Sequence, residues 1–364
     1  MGVRRFTVED IPEVASLWWR FLRKKRGSAP PRVLEYLRAL YFSSPLVEDD
    51  LPSLVYEAKD GKVVGFLGVV VRRFCLRGRA VRVAFGGNYV VDPTSRTTLA
   101  GLQLLARYMA ANQDLSMTDS ATEVSRNLLE RLGFHTILPF SIAWARPLRP
   151  THYAAHAMAA PAPNGVAAAI RIVSKPFCSF ADAVACKIPT GPFHLTEPQL
   201  RAENLDADTL LKCIAELGRQ AALRATTDDQ ILNWLLRFME QMHPRATLRK
   251  RLIRNEKDKI VGWYLYYLKP HAPCQVIQIG AVPQFQRTVI QHLLYDARSQ
   301  GAIGLHGAAP PHLMAHLADE NCFFTCRSGW TVAHSRDPEI VEALSRGDVS
   351  FSRLDGEWCL NFDD

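Results

Sequence analysis

The stretch Val91-Asp92-Pro93-Thr94-Ser95-Arg96-Thr97-Thr98-Leu99-Ala100-Gly101-Leu102-Gln103-Leu104-Leu105 decides the fold of this chain. It leaves a β-branched, aromatic run, Ala84 to Val91, turns at Asp-Pro and enters an apolar pattern of helical period. A strand that opens into a helix through a short loop aims several backbone N–H groups at one point. With the positive end of the helix dipole behind them, these groups suit an anion such as a pyrophosphate. Arg96 adds a cation, Thr97 and Thr98 add hydroxyls, and Gly101 leaves room for a close approach to the backbone. The plain alternative is a strand-to-helix turn that holds no ligand.

Working outward, the spacing predicts alternating elements over the first 147 residues. Asp10-Ile11-Pro12 starts a helix carrying Val14, Leu17, Trp18, Phe21 and Leu22, and a second helix covers Pro31 to Tyr41. Leu54 to Ala58 and Lys62 to Arg72 read as strands joined by an Asp60-Gly61 turn. Strand Val81 to Val91 then leads to a helix from Gly101 to Met109. Leu115 to Thr118 is a short strand, Ala121 to Leu132 a helix, and Thr136 to Ala145 a closing strand. Strands alternating with helices imply an α/β sheet with helices on its faces. Residues 148–195 are rich in alanine and proline and read as a connector with one short helix.

The remainder repeats the pattern. Asp258-Lys259-Ile260-Val261-Gly262-Trp263 echoes Gly61-Lys62-Val63-Val64-Gly65-Phe66, and Val282-Pro283-Gln284-Phe285-Gln286 echoes Asp92 to Arg96. Leu317 through Phe323 stands where Leu128 through Phe134 stands in the first half. The expected organisation is therefore a domain at 1–147, the connector at 148–195 and a second copy at 196–364.

Val-Asp-Pro-x-x-Arg-x-x-Leu-x-Gly resembles the coenzyme A loop of the GNAT acyltransferase superfamily, Gln/Arg-x-x-Gly-x-Gly/Ala after Val-Asp-Pro. Arg96 and Gly101 match that loop, and Leu99 stands at its first glycine. Leu128, Glu130, Leu132, Gly133 and Phe134 match the family's fourth helix, where Leu129 replaces a tyrosine that often protonates the departing thiolate. In the second copy Gln286 fits the loop, but Val289 and Gln291 replace both glycines. The resemblance implies two tandem GNAT-like domains, each a mixed central sheet flanked by helices, the second degenerate. It implies acetyl-CoA or another acyl-CoA as substrate, bound by Tyr89, Val90, Val91, Arg96, Thr97, Thr98, Leu99, Ala100 and Gly101. The partner it implies is a small amine-bearing acceptor: a small molecule, sugar or peptide that attacks the thioester directly. The alternatives are a non-catalytic binding or scaffold protein on this fold, or a Fem-like transferase using another activated acyl donor.

No acidic residue lies between Arg77 and Val91, so the strand before the loop supplies no base. The candidate is Asp119, with Ser120-x-x-Glu123 offering a capping-box reading of the same stretch. Gly86-Gly87-Asn88 suggests a bulge or a close approach by substrate, the plain alternative being a strand with a glycine kink. Leu354-Asp355-Gly356-Glu357-Trp358 reads as a hairpin turn around a packed tryptophan, or as carboxylates facing an acceptor cleft between domains. His312-x-x-x-His316 and Cys322-x-x-x-Cys326 are too loosely spaced to predict a metal.

Bulk properties set the remaining bounds. The 364 residues are 48% hydrophobic and 22% charged, which is an ordinary globular composition. No apolar run is long enough for a transmembrane helix, and the N-terminus lacks a signal-peptide core, so a cytoplasmic protein is expected. Eight scattered cysteines suit reduced thiols. The net charge of +8 is concentrated at Arg20, Arg23, Lys24, Lys25 and Arg26, and again at Arg72, Arg73, Arg77, Arg79 and Arg82. Such clusters serve an anionic acceptor or a membrane surface, or lie as a solvated face. No nucleic-acid reading module accompanies them.

Overall fold

The structure, a computed structural model, describes residues 2–95, 99–159, 177–189, 191–217, 221–326 and 329–362. The chain forms two compact units. The first comprises Met1–Leu138, Gly218–Met242 and Gly329–Asp364; the second comprises Pro139–Leu217 and His243–Ser328.

The first unit opens with β1 (Gly2–Arg5), β2 (Leu54–Glu57), β3 (Val63–Leu76), β4 (Arg79–Val91), β5 (Leu115–Ala121) and β6 (His135–Thr136). The chain then gives β7 (Ala143–Pro147) and β8 (Arg201–Asn204) to the second unit, and β9 (Leu223–Thr226) to the first. The second unit continues with β10 (Thr247–Arg254), β11 (Ile260–Leu268), β12 (Pro273–Ala281), β13 (Gly304–Ala308) and β14 (Phe323–Thr325). Finally β15 (Trp330–His334) and β16 (Val349–Ser350) complete the first unit.

The two sheets share one plan. The first runs β1-β2-β3-β4-β5-β15-β6, with β9 and β16 added on β3; the second runs β8-β10-β11-β12-β13-β7-β14. Both are mixed, with a parallel pair at the centre (β4 with β5, β12 with β13) among antiparallel neighbours. The repeat predicted from the sequence is thus present as two helix-flanked sheets.

The boundaries are corrected. The closing strand expected over Thr136–Ala145 is broken by a helical turn at Leu138–Ser141, where Pro139 has no N–H to give a ladder. The next strand, Ala143–Pro147, pairs with β13 and β14 in the second sheet. Its place beside β5 is taken by Trp330–His334. The 1–147 and 196–364 domains therefore exchange a strand each. The connector also folds: helix Pro150–Ala159 and a helix over 177–187 belong to the second unit. Residues 218–242, expected in the second copy, carry β9 and helix Asp229–Met242 in the first unit.

In the first unit helix Ala100–Met109 buries Ala100, Leu104, Leu105 and Tyr108 against Leu54, Tyr56, Leu67 and Val69. Each fully buried Leu side chain contributes about 1.5–3 kcal/mol. Helix Pro31–Tyr41, opened by a proline that has no amide to lose there, buries Val33, Tyr36, Leu37 and Leu40. In the second unit helix Gln286–Ser299 sets Val289, Ile290, Leu293 and Leu294 into a core with Tyr264, Tyr266 and Val276.

Candidate active site in the first sheet

The central parallel pair of the first unit comes apart. β4 and β5 pair only from Val83–Leu115 to Phe85–Met117, although β4 runs on to Val91 and β5 to Ala121. β5 is paired along its other edge with β15, and among the described residues the edge of Gly86–Val91 that faces β5 has no strand partner. The apex is held by Tyr108, whose buried hydroxyl donates to the Ala84 carbonyl at 2.5 Å and accepts from the Met117 amide at 3.2 Å. A side-chain oxygen thus bridges the two strands where they part.

The sequence Gly86-Gly87-Asn88 shapes the open edge. β3 and β4 pair at Phe66–Val90 and again at Gly68–Gly87, so Asn88 and Tyr89 share one position on β3. This is a β-bulge, with Asn88 in the left-handed region at φ 52°. Asparagine tolerates that conformation better than most side chains. Here it is fully used: Oδ1 accepts from the Trp18 indole at 2.9 Å, and Nδ2 donates to the Tyr36 and Tyr41 hydroxyls, each at 2.8 Å. The bulge reading holds, and the space at Gly87 is taken by the protein itself, since a Cβ there would lie 1.8 Å from Glu357 Oε2.

Glu357 reaches the split from the end of the chain. Its Oε1 accepts from Ser120 at 2.8 Å and from the Thr118 hydroxyl, while Oε2 lies against Gly87. The carboxyl therefore spans β4 and β5. Asp119 is also buried, but its Oδ1 accepts from the amides of Glu357 and Trp358, each at 3.0 Å. Its Oδ2 is buried without a hydrogen-bond partner among the described residues. Asp119 thus anchors the segment that delivers Glu357. Arg72 holds the same segment through the carbonyls of Leu354 and Asp355, at 2.5 and 2.9 Å.

Electrostatics separates the two acids. Burial, then the Asp119 charge, push the Glu357 carboxyl up to about 8 against the hydroxyl bonds that lower it. Burial also raises Asp119, to about 6, opposed by the Arg353 cation and the two amides. Arg353 is itself pulled down to about 10 by burial, with Asp119 opposing. Two donors and a cation favour the charge on Asp119, so the proton shared by the pair resides on Glu357.

The sequence-predicted residues fall into three groups. Tyr89, Val90 and Val91 lie on the open strand, with Val90 paired to Phe66 and Val91 to Gly65. Arg96, Thr97 and Thr98 lie outside the described residues. Leu99, Ala100 and Gly101 start the helix; Leu99 takes φ −104° and is 54% exposed, so no positive φ is required of it. The room left by Gly101 is used by the protein itself, since a Cβ there would lie 2.1 Å from the Tyr89 hydroxyl. Leu129 is buried in the core.

Two readings are corrected. Thr122, not Ser120, caps helix Glu123–Arg131, accepting from the Ser125 amide. Leu354–Trp358 is a series of turns leading into a 3₁₀ turn at Trp358–Leu360, not a hairpin. Sequence reasoning missed Thr118, Ser120, Tyr108 and Arg353. The signal available for the last was its place among the acids Asp355 and Glu357 in a short polar turn. Among the described residues, no three His, Cys, Asp or Glu side chains are grouped to hold a metal, and no helix is long and apolar enough to cross a membrane.

No protein-family model matches the sequence, and no curated protein matches it. Solved structures do. A GCN5-related N-acetyltransferase from Anabaena variabilis aligns over 94% of this chain and 74% of its own, at 12% identity and a TM-score of 0.60. A probable N-acyltransferase from Enterococcus faecalis aligns over 92% and 72%, at 10% identity and 0.58. N-myristoyltransferase of Saccharomyces cerevisiae, solved with myristoyl-CoA, aligns over 91% and 77%, at 11% identity and 0.54. The chain has the GNAT fold, built twice.

Proposed function

We propose that this protein is an acyl-CoA-dependent acyltransferase that acylates an amine, with the first sheet as its active unit. The observation that supports this reading is a buried carboxyl, Glu357, lodged where β4 and β5 part, beside a strand edge that has no strand partner among the described residues. The acyl-pantetheine arm lies along Tyr89–Val91, and the pyrophosphate meets the helix start at Leu99–Gly101. The free amine attacks the thioester carbonyl, forming the C–N bond as the C–S bond breaks and the thiolate leaves with its electron pair. The surplus amine proton passes to the Glu357 carboxylate and ends on the coenzyme A sulfur, so the products are an amide and a free thiol. A carboxyl titrating near 8 is well matched to an alkylammonium donor. Asp119 and Arg72 act as positioning residues for Glu357. An acetyl donor is the simplest choice, and eight free thiols, six of them buried, suit the reducing cytoplasm.

Calorimetric titration with acetyl-CoA and thiol release over a panel of amines test the reading. Micromolar binding with turnover is expected. Absence of binding by the intact protein overturns it, and binding without turnover on any amine favours a non-catalytic role for the same fold.

A further inference from the structure

The two basic stretches of the sequence are used differently. In the second, all but the exposed Arg77 are spent: Arg72 on the carbonyls of Leu354 and Asp355, Arg73 on Glu48, Arg79 on Asp337, and Arg82 on Glu48 and Asp50. In the first, Arg20, Lys24 and Arg26 are exposed, and among the described residues no carboxylate pairs with them. The sequence carries no acid from residue 14 to residue 34.

That stretch is tied to the split. It grows out of the π-helical turn Trp18–Leu22, whose first residue is buried and donates its indole N–H to Asn88, the bulge residue next to Gly87. The Arg23 guanidinium lies over the same Trp18 ring at 5.2 Å, and its charge acts on the Tyr36 phenol that shares Asn88. Arg20 lies over Phe21 at 4.9 Å. A cation laid on a ring face keeps its charge while losing freedom, so part of the field is fixed in place. A polycationic amine is repelled by such a field, whereas an amine that also carries an anion is concentrated by it.

We infer that the acceptor bears a phosphate or carboxylate group near its reactive amine, recognised by Arg20, Lys24 and Arg26. The inference rests on the acyl-transfer reading. Four small amines test it with acetyl-CoA as donor: ethanolamine, O-phosphoethanolamine, β-alanine and ethylenediamine. At low salt kcat/KM for an anionic member exceeds that for ethanolamine by about 10-fold or more, with the diamine slowest. The advantage collapses at high salt, and the faster of the phosphate and carboxylate arms identifies the anion. The triple variant Arg20→Ala/Lys24→Ala/Arg26→Ala loses the preference through KM while keeping kcat on ethanolamine. Equal or better turnover of ethanolamine or the diamine overturns the inference, as does a triple variant that keeps the preference. Should acetyl-CoA not bind at all, the acyl-transfer reading fails. Calorimetric titration of O-phosphoethanolamine and β-alanine into the wild type and the triple variant then decides the anion separately. Heat lost in the variant supports it, and no heat with either ligand overturns it.

Discussion

The two sheets repeat one frame and differ in what enters it. In both, a central parallel pair parts after three residue pairs, and in both the strand on the open side carries a one-residue bulge. After the last pair the first sheet presents Gly86-Gly87-Asn88 opposite Thr118-Asp119-Ser120. The second presents Val276-Ile277-Gln278 opposite Gly307-Ala308-Ala309. Val276 and Ile277 are buried, and the Trp144 indole nitrogen would lie 3.2 Å from a Cβ at Gly307. Where the first copy admits a carboxyl, the second packs apolar side chains. The helix starts differ as well. Glu320 accepts from Arg287 at 3.0 Å and from Gln291 at 2.8 Å at the second helix, so an internal carboxylate occupies cationic and amide groups there. Backbone splay and bulge belong to the fold; the chemistry depends on which side chains reach them.

Removing the carboxyl of the first copy has the largest expected effect. Glu357→Gln lowers kcat by about 10²–10⁴, the range for a lost general base, and Glu320→Gln in the second copy leaves turnover within about twofold. Comparable losses from both variants would erase the distinction drawn between the copies. Next comes Gly87→Ala, whose methyl overlaps Glu357 Oε2 and displaces the carboxyl; a rate loss of about 10²-fold is expected, with acetyl-CoA affinity retained.

The pH dependence sharpens the comparison further. Turnover should rise with pH and level off above about 8, as Glu357 gives up its resting proton, and Glu357→Gln should flatten the profile. Stability runs the other way. The Glu357 pKa is raised from 4.5 to about 8, so between those values the folded chain binds more protons than the unfolded chain. Stability is greatest below that window and declines through it, which predicts that Glu357→Gln raises the Tm at pH 9 more than at pH 4. A variant less stable at both pH values would show that Glu357 is held ionised.

Smaller effects are expected at the helix starts. Gly101→Ala sets a methyl against the Tyr89 hydroxyl and should cost about 1–3 kcal/mol in urea unfolding, partly recovered by adding Tyr89→Phe. Glu320→Gln at the second helix should cost under about 1 kcal/mol, because Arg287 is 57% exposed and its ion pair is screened by water.

Much of the frame was legible in the sequence. The periodicity of Leu104, Leu105 and Tyr108 marked a core-facing helix, and Gly86-Gly87-Asn88 marked the bulge. The partner of a strand was not legible. Ala143–Pro147 carries Arg146 as its one polar side chain, which predicts burial in a sheet but not which one. The site was half legible for a related reason. Asp119 stood out as an acid at a strand end, but its hydrogen bonds go to amides 238 and 239 residues away, a separation no local pattern encodes. Glu357 was visible as one of two acids in a short turn read either as a hairpin or as facing an acceptor cleft between domains, and its burial against Thr118 and Ser120 is a product of tertiary structure alone.

The strand exchange also governs how the protein can be divided. A fragment ending at residue 147 would carry β7 with no sheet to join and would lack β15, leaving β5 with a bare edge exposed to other chains. A fragment beginning at 148 would lose β7 from the middle of its own sheet. Neither cut leaves a complete sheet, so the chain divides at no single point between its two copies.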